Sequence, residues 1–139
     1  MRLLDSFAWI EYFSGSGRGA KVKAYIDGTE PLYTPSICLT EVKARYLRDK
    51  KDPTTSLNFI MERSFIVSLD LEIALRAADV KQQHGLHTVD AIIYATALRR
   101  NMTLITGDQH FKRLQNVELI LGRSEAESFG RRVQPVRYL

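Results

Sequence analysis

Four acidic residues stand where the chain turns, or where a charge is unexpected. Asp5 follows the apolar run "RLL", and Asp108 lies two residues after "TLIT" (103–106). Asp90 falls in the first turn of a predicted helix, and Glu41 shares a partly apolar helical stripe in "ICLTEVKA". Carboxylates crowded together need a cation among them, either a basic side chain or a divalent metal. Oxygen ligand sets suit Mg²⁺ and Mn²⁺ rather than zinc.

Each of these acids also has a simpler explanation. Asp108 fits an ordinary turn, and Asp90 fits the dipole of its helix, which is worth about 0.3–1 kcal/mol. Glu41 has a pairing partner four residues on in Arg45. The explanations weaken when the acids are taken together, because Asp5, Asp90 and Asp108 are all predicted to lie at one sheet edge.

The elements that must position these acids alternate between helices and short apolar strands. This alternation predicts an α/β fold with a mainly parallel sheet, whose strands all end at the same edge. Ligands bind in the crevice at that edge. Strands or extended segments are predicted at 2–5, 31–35, 65–69, 103–106 and 117–121, and helices at 6–13, 19–26, 37–51, 54–63, 70–84 and 89–100.

Local sequence signals predict where the helices begin and end, and which face of one helix is apolar. Ser6, Ser36 and Thr88 are predicted N-caps, and Gly85 a helix stop. The glycine-rich "SGSGRG" (14–19) is predicted as a mobile loop. The helix at 70–84 is expected to present one apolar face, formed by Leu71, Ala74, Leu75 and Ala78.

Composition narrows the class of protein. The 139 residues suit a single domain over 1–139, and the net charge of +4 permits a polyanionic partner without requiring one. Cys38 is the one cysteine and is expected to be a buried small hydrophobe, which fits a reducing compartment. No apolar run is long enough for a membrane span, and the N-terminus lacks signal-peptide features, so we expect a cytoplasmic protein.

Basic residues and histidines supply candidate substrate contacts. The stretch "KARYLRDKK" (43–51) carries five basic residues, including Lys43 and Arg45, and the tail adds Arg131, Arg132 and Arg137. Each cluster is either a solvated face or a phosphate-binding surface. The three histidines lack zinc-ligand spacing. His84 and His87 are expected at the surface, whereas His110 is close enough to Asp108 to contact substrate.

The order of these motifs resembles the PIN-domain ribonucleases, and among them the toxins of VapBC toxin–antitoxin pairs. The resemblance rests on "LLDSFAWIEYF", the helical Glu41, "LHTVDAIIYATAL" and "LITGDQHF", and its strong part covers residues 1–121. The role of the tail at 122–139 is left open. Gln109 and His110 stand where many members have a further acid, so the chain departs from the family pattern at this position.

The resemblance implies a Rossmann-like α/β/α sandwich and Mg²⁺- or Mn²⁺-dependent endonuclease activity on RNA. It makes Asp5, Asp90 and Asp108 metal ligands, with Glu41 holding a second ion or orienting water. Ser6 and Thr106 would be hydroxyls that orient the acids. It also implies a homodimer and a VapB-type antitoxin, for which the segments "SFAWIEYF" and "SLNFIMER" offer surfaces. Trp9, Phe13 and Phe59 in these segments are more often core than interface.

Three other functions are compatible with parts of this pattern. An RNA-processing PIN nuclease that is not a toxin would have the same motifs. A PIN-like module that only binds RNA or protein is a second alternative, although such a module would be free to lose its four acids. An aspartyl-phosphate phosphatase or receiver fits poorly, because "LLDSF" holds a single acid and no strand ends in lysine.

Overall fold

A computed structural model of the chain describes residues 1–121. The strands are β1 (Arg2–Leu4), β2 (Leu32–Pro35), β3 (Ser64–Val67), β4 (Thr103–Thr106) and β5 (Val117–Leu119). The helices are α1 (Ser6–Ser14), α2 (Gly17–Ile26), α3 (Ser36–Arg48), α4 (Thr54–Arg63), α5 (Leu71–His84) and α6 (Thr88–Arg99), and one 3-10 turn spans Gln109–Phe111. The predicted tail surface, with its three arginines, lies outside the described residues.

The five strands form one sheet in the order β3-β2-β1-β4-β5, and every pairing in it is parallel. The prediction of an α/β fold is confirmed, and the sheet is wholly rather than mainly parallel. The chain proceeds from β1 through β2 to β3, then crosses back to place β4 on the other side of β1. The carboxyl ends of β1 and β4 therefore flank a topological switch point, where open α/β sheets bind ligands.

Helices cover both faces of the sheet, because successive strand residues point to opposite sides. Leu3 and Leu104 pack on one face with α5 and α6. Leu4 and Ile105 pack on the other face among residues that include Trp9 of α1. Cys38 is fully buried, as expected. No helix within residues 1–121 is both long and apolar enough to cross a membrane.

A buried chain of hydroxyl groups fixes α1 over the sheet. The indole N–H of Trp9 donates to Thr34 Oγ1 at 3.0 Å, and the Thr34 and Ser64 hydroxyls are 2.7 Å apart. The core assignment is confirmed for Trp9, whereas Phe13 is only part-buried and Phe59 is exposed. The aromatic cluster thus reaches the surface along α1 and α4.

The three predicted N-caps are each wrong by one residue. Asp5 caps α1, and its carboxylate accepts a hydrogen bond from the N–H of Ala8. Pro35 and His87 precede α3 and α6 without any side-chain cap. The hydroxyls of Ser6 and Ser36 instead form tertiary hydrogen bonds, to Glu41 and from the N–H of Leu69 respectively. The helix stop at Gly85 is confirmed, with φ of 65°.

The apolar face predicted for α5 is also wrong. The helix buries Ile73, Ala77 and Val80, whereas Leu71 is 75% exposed and Leu75 is 64% exposed. Both stripes have helical spacing, so periodicity alone does not choose between them. The stripe with small Ala77 at its centre packs against the core that includes α6.

The glycine-rich segment at 14–19 is a tight turn between two helices rather than the predicted loop. Gly15 ends α1 with φ of 70°, and the hydroxyl of Ser16 caps α2 by accepting from the N–H of Gly19 at 3.1 Å. A Cβ on Gly19 would lie inside van der Waals contact of the backbone carbonyl of Glu11. Glycine is therefore required at 19 for α1 and α2 to pack.

Gly19→Ala is expected to destabilise the protein by about 1–3 kcal/mol, because the backbone of α1 must move to admit the methyl group. Gly17→Ala is the matched control, since nothing lies within 4 Å of a Cβ there and its φ is not positive. Chemical denaturation of both variants measures the difference. Equal stabilities would show that the helices do not depend on this close approach.

Candidate metal centre at the carboxyl edge of the sheet

Asp5 lies at the centre of the edge, directly after β1. Its Oδ1 accepts from the N–H of Ala8 at 2.9 Å, so the same carboxylate that caps α1 is fixed in the crevice. The Thr106 hydroxyl, at the end of neighbouring β4, also hydrogen-bonds this carboxylate. Asp5 is 3% exposed, which makes it the most buried of the four acids.

Burial raises the pKa of Asp5 from 3.8 to about 7. The negative charges of Asp108 and Glu41 add to this rise, while the hydrogen bonds from Thr106 and Ala8 partly oppose it. A carboxylate in this environment holds its proton near neutral pH unless a cation replaces that proton. Ionisation of Asp5 therefore lowers the free energy of unfolding unless a cation binds beside the carboxylate.

Glu41 reaches the same edge from α3. The hydroxyl of Ser6 donates a hydrogen bond to Glu41 Oε1 at 2.8 Å. Burial raises the pKa of Glu41, and the charges of Asp90 and Asp108 raise it further. The predicted helical pair between Glu41 and Arg45 does not form, and Arg45 Nε instead lies 3.1 Å from Asp49 Oδ2.

Asp108 and Asp90 come from the end of β4 and the start of α6. Asp108 donates its backbone N–H to Thr106 Oγ1 at 3.0 Å, and its Oδ1 accepts from the N–H of His110 at 2.9 Å. Burial and the charge of Asp108 raise the pKa of Asp90, whereas the imidazoles of His110 and His87 lower it. Asp90, Asp108 and His110 offer ligand atoms that all lie within 4.8 Å of one another.

Gly107 allows the segment that carries Asp108 to pack closely. A Cβ at this residue would overlap the ring of Phe7, so the requirement is for space and not for a positive φ. The aromatic ring of α1 thus lies directly on the backbone between Thr106 and Asp108. This contact links the start of α1 to the loop after β4.

The acids line an open cleft of about 270 Å³. Its walls contain six of the predicted site residues, namely Asp5, Ser6, Glu41, Arg45, Asp90 and Asp108, together with Phe7, Ile10 and Ile93. Thr106 is fully buried beneath it, and His110 lies at its rim beside Asp108. Lys43 is exposed on α3 and is not part of this lining.

The donor set fits a divalent metal ion. The negative charges of neighbouring carboxylates raise the pKa values of Asp5, Glu41 and Asp90, and for Asp90 two histidines partly oppose this rise. Each of these acids therefore lies close enough to another carboxylate to be repelled by it. A divalent cation would lower the repulsion, and oxygen donors are the ligands that hard divalent ions prefer.

Sequence reasoning missed one neighbour of this site. His87 precedes α6, and its ring centroid lies 5.8 Å from that of His110, which follows β4. The two are 23 positions apart, so ligand-spacing rules do not connect them. His84 and His87 are both exposed, as expected.

A family model described as the PIN domain matches residues 2–117. The chain therefore belongs to the PIN-domain family, and the resemblance seen in its motifs is confirmed. No curated protein sequence matches the chain.

Solved structures with the same fold include proteins of toxin–antitoxin systems. A toxin–antitoxin complex from Klebsiella pneumoniae has a TM-score of 0.75 at 23% identity, over 88% of this chain and 99% of that one. VapC20 from Mycobacterium tuberculosis, described as a sarcin-ricin loop cleaving toxin, has a TM-score of 0.72 at 14% identity, over 87% of this chain and 100% of that one. VapBC2 from Rickettsia felis, bound to promoter DNA, has a TM-score of 0.67 at 20% identity, over 85% of this chain and 96% of that one. At these identities the likeness establishes the fold.

Proposed function

We propose that this protein is a Mg²⁺- or Mn²⁺-dependent endoribonuclease, and that it is the toxin of a toxin–antitoxin pair. The observation that carries the proposal is the convergence of Asp5, Glu41, Asp90 and Asp108 on one cleft at the switch point of the sheet. The family match supports a nuclease, and the neighbouring toxin structures support the role. We propose one PIN domain over 1–139.

The acids have separate duties in this proposal. Asp5, Asp90 and Asp108 hold the ion, and Glu41 holds a second ion or orients the attacking water. A divalent ion bound here would lower the pKa of a water molecule and would stabilise the negative charge that develops on the phosphate. The Ser6 hydroxyl keeps Glu41 in position, while Thr106 fixes both Asp5 and the backbone of Asp108.

Basic side chains near the cleft are proposed to hold the RNA backbone. Arg45 lines the cleft one helical turn beyond Glu41, and Lys43 extends from the exposed face of the same helix. Phosphate contacts of this kind fix the register of the nucleic acid without reading its bases. The choice among RNA substrates then depends on the shape of the surface around the cleft.

The proposed partners are a second copy of the chain and a VapB-type antitoxin. The neighbouring structure from Klebsiella pneumoniae is a toxin–antitoxin complex, and the one from Rickettsia felis is VapBC2 bound to promoter DNA. The aromatic surface around Phe13 and Phe59 is the candidate antitoxin contact. Co-expression with the product of an adjacent small reading frame should yield a stable complex if this role is correct.

The test of the nuclease is incubation of the purified chain, free of any partner, with total cellular RNA. Cleavage at a small set of mapped sites is expected with Mn²⁺ or Mg²⁺ and none with excess chelator. Restoring the metal should restore the same sites. Intact RNA under every metal condition, or identical cuts in chelator, would contradict the proposal.

A role limited to RNA binding is the second candidate. It is favoured only by the basic residues of α3, which do not need a metal to bind a polyanion. Retention of RNA in a binding assay without any metal-dependent cleavage would select this function instead.

A further inference from the structure

The acidic cleft has one nitrogen donor that an all-oxygen metal site would lack. His110 Nδ1 lies 2.8 Å from Asp108 Oδ1 and 3.9 Å from Asp90 Oδ2. These three side chains come from two separate segments, the start of α6 and the turn after β4. The fold thus brings an imidazole to the same point as two carboxylates.

The separations fit ligands of one ion. Adjacent ligands of an octahedral ion at about 2.1 Å are about 3 Å apart, and opposite ligands are about 4.2 Å apart. The two distances from the His110 nitrogen, 2.8 Å to Asp108 Oδ1 and 3.9 Å to Asp90 Oδ2, fall close to this range. The His110 side chain is 63% exposed, so its ring can adjust without disturbing the core.

We propose that His110 is a nitrogen ligand of the divalent ion in this cleft and that it makes the site prefer Mn²⁺ to Mg²⁺. The inference rests on the proposed function in one respect, namely that a divalent ion binds there. Imidazole nitrogen suits first-row transition metals, whereas Mg²⁺ binds oxygen donors almost exclusively. A mixed set of carboxylates and one imidazole therefore favours Mn²⁺.

The neighbouring His87 is not assigned as a ligand. Its ring stands edge-on to that of His110, with the centroids 5.8 Å apart. Among the residues that the structure describes, the group that brings ligand atoms within 4.8 Å of one another contains His110 and not His87. Separate variants of the two histidines can test this assignment.

A simple hydrogen-bonding role for His110 makes a different prediction. If the imidazole only supports Asp108, or only contacts RNA, its removal should weaken both ions equally or neither. Ligation instead predicts loss of the preference for Mn²⁺. The ratio of the two affinities thus separates the explanations without any measurement of RNA cleavage.

The experiment measures Mn²⁺ and Mg²⁺ binding by calorimetry on the full chain and three variants. His110→Ala is expected to weaken Mn²⁺ binding about tenfold or more and to leave Mg²⁺ binding within about twofold. His110→Asp is expected to improve Mg²⁺ binding, because it supplies an oxygen in place of the nitrogen. His84→Ala is the matched control, since His84 is exposed and packs against Tyr94 at the end of α5.

Pulsed electron paramagnetic resonance of bound Mn²⁺ gives a direct readout of the ligand atom. Coupling to imidazole nitrogen is expected in the original chain and in His84→Ala, and it should disappear in His110→Ala. Nitrogen coupling that persists there but disappears in His87→Ala would overturn the assignment. An unchanged ratio of Mn²⁺ to Mg²⁺ affinity in His110→Ala would also overturn it.

The outcomes distinguish this inference from the proposed function. If the original chain binds Mn²⁺ and cuts RNA while His110→Ala retains the same ion preference, only the inference fails. If the original chain binds neither ion, the proposed metal-dependent nuclease fails as well. If His110→Ala loses the preference, the inference holds whatever RNA proves to be the substrate.

Discussion

Asp5→Asn is expected to stabilise the metal-free protein at pH 8 and to remove its thermal response to Mn²⁺. The folded-state pKa of Asp5 is raised to about 7 from 3.8, so the folded state binds more protons between these values. Stability of the original chain should therefore fall as pH rises through this window. One pKa unit is worth about 1.4 kcal/mol, which gives a loss of the order of 2–3 kcal/mol between pH 5 and pH 8.

Denaturation in chelator at both pH values measures this loss, and repetition in Mn²⁺ measures how much of it the ion restores. Asp70→Asn is the matched control, because Asp70 also caps a helix with its carboxylate but lies exposed at the start of α5. The control should keep the pH dependence and the metal response. If the Asp5→Asn protein lost as much stability between pH 5 and pH 8 as the original chain, Asp5 would not be the source of that loss.

Asp90→Asn is expected to reduce metal-dependent RNA cleavage by about a hundredfold or more. The amide keeps the size of the side chain but removes the charge that holds the ion at the start of α6. Cleavage rates on a mapped RNA fragment measure the effect at saturating Mn²⁺. The variant should remain folded, since burial raises the pKa of Asp90 and a neutral group is tolerated there.

Asp79→Asn makes the same chemical change on the exposed face of α5 and should cleave at the original rate. Contamination by another nuclease would leave all three proteins equally active. Undiminished metal-dependent cleavage by a folded Asp90→Asn protein would remove Asp90 from the proposed site.

The location of the acidic cluster followed from the sequence because a parallel sheet leaves few choices. Asp5 and Asp108 each follow a short apolar strand, and parallel strands end at one edge. Asp90 begins a helix whose residues are almost all apolar, so the start of that helix had to lie against the core. The roles of these residues remain proposals, but their convergence needed only strand order and burial.

Local signals failed where tertiary contacts decided between equivalent patterns. On α5 both stripes have the same spacing, and packing against the core selected the one with Ile73 rather than the one with Leu71. The Ser6 hydroxyl was free to cap α1, but Asp5 caps it and Ser6 bonds Glu41. These choices depend on partners that are distant in sequence.

The contact between the two histidines could not be predicted, because it depends on how closely the turn after β4 approaches α6. Arg45 shows the same limitation, since either Glu41 or Asp49 is at helical spacing for an ion pair. In the structure Arg45 pairs with Asp49, while Glu41 accepts a hydrogen bond from the hydroxyl of Ser6. The need for Gly107 was equally hidden, because the ring of Phe7 that requires the space belongs to α1.

The return of the chain from β3 to the far side of β1 has a consequence for synthesis on the ribosome. Asp5 leaves the ribosome well before Thr103–Thr106, so β1 stays unpaired on one side until that strand has emerged and docked. The carboxylate of Asp108 follows later still. Since the cleft needs both ends of this long contact, a nascent chain cannot assemble it before the segment after β4 has emerged. The topology thus keeps the proposed metal site incomplete until the docking of β4 brings Asp108 beside Asp5.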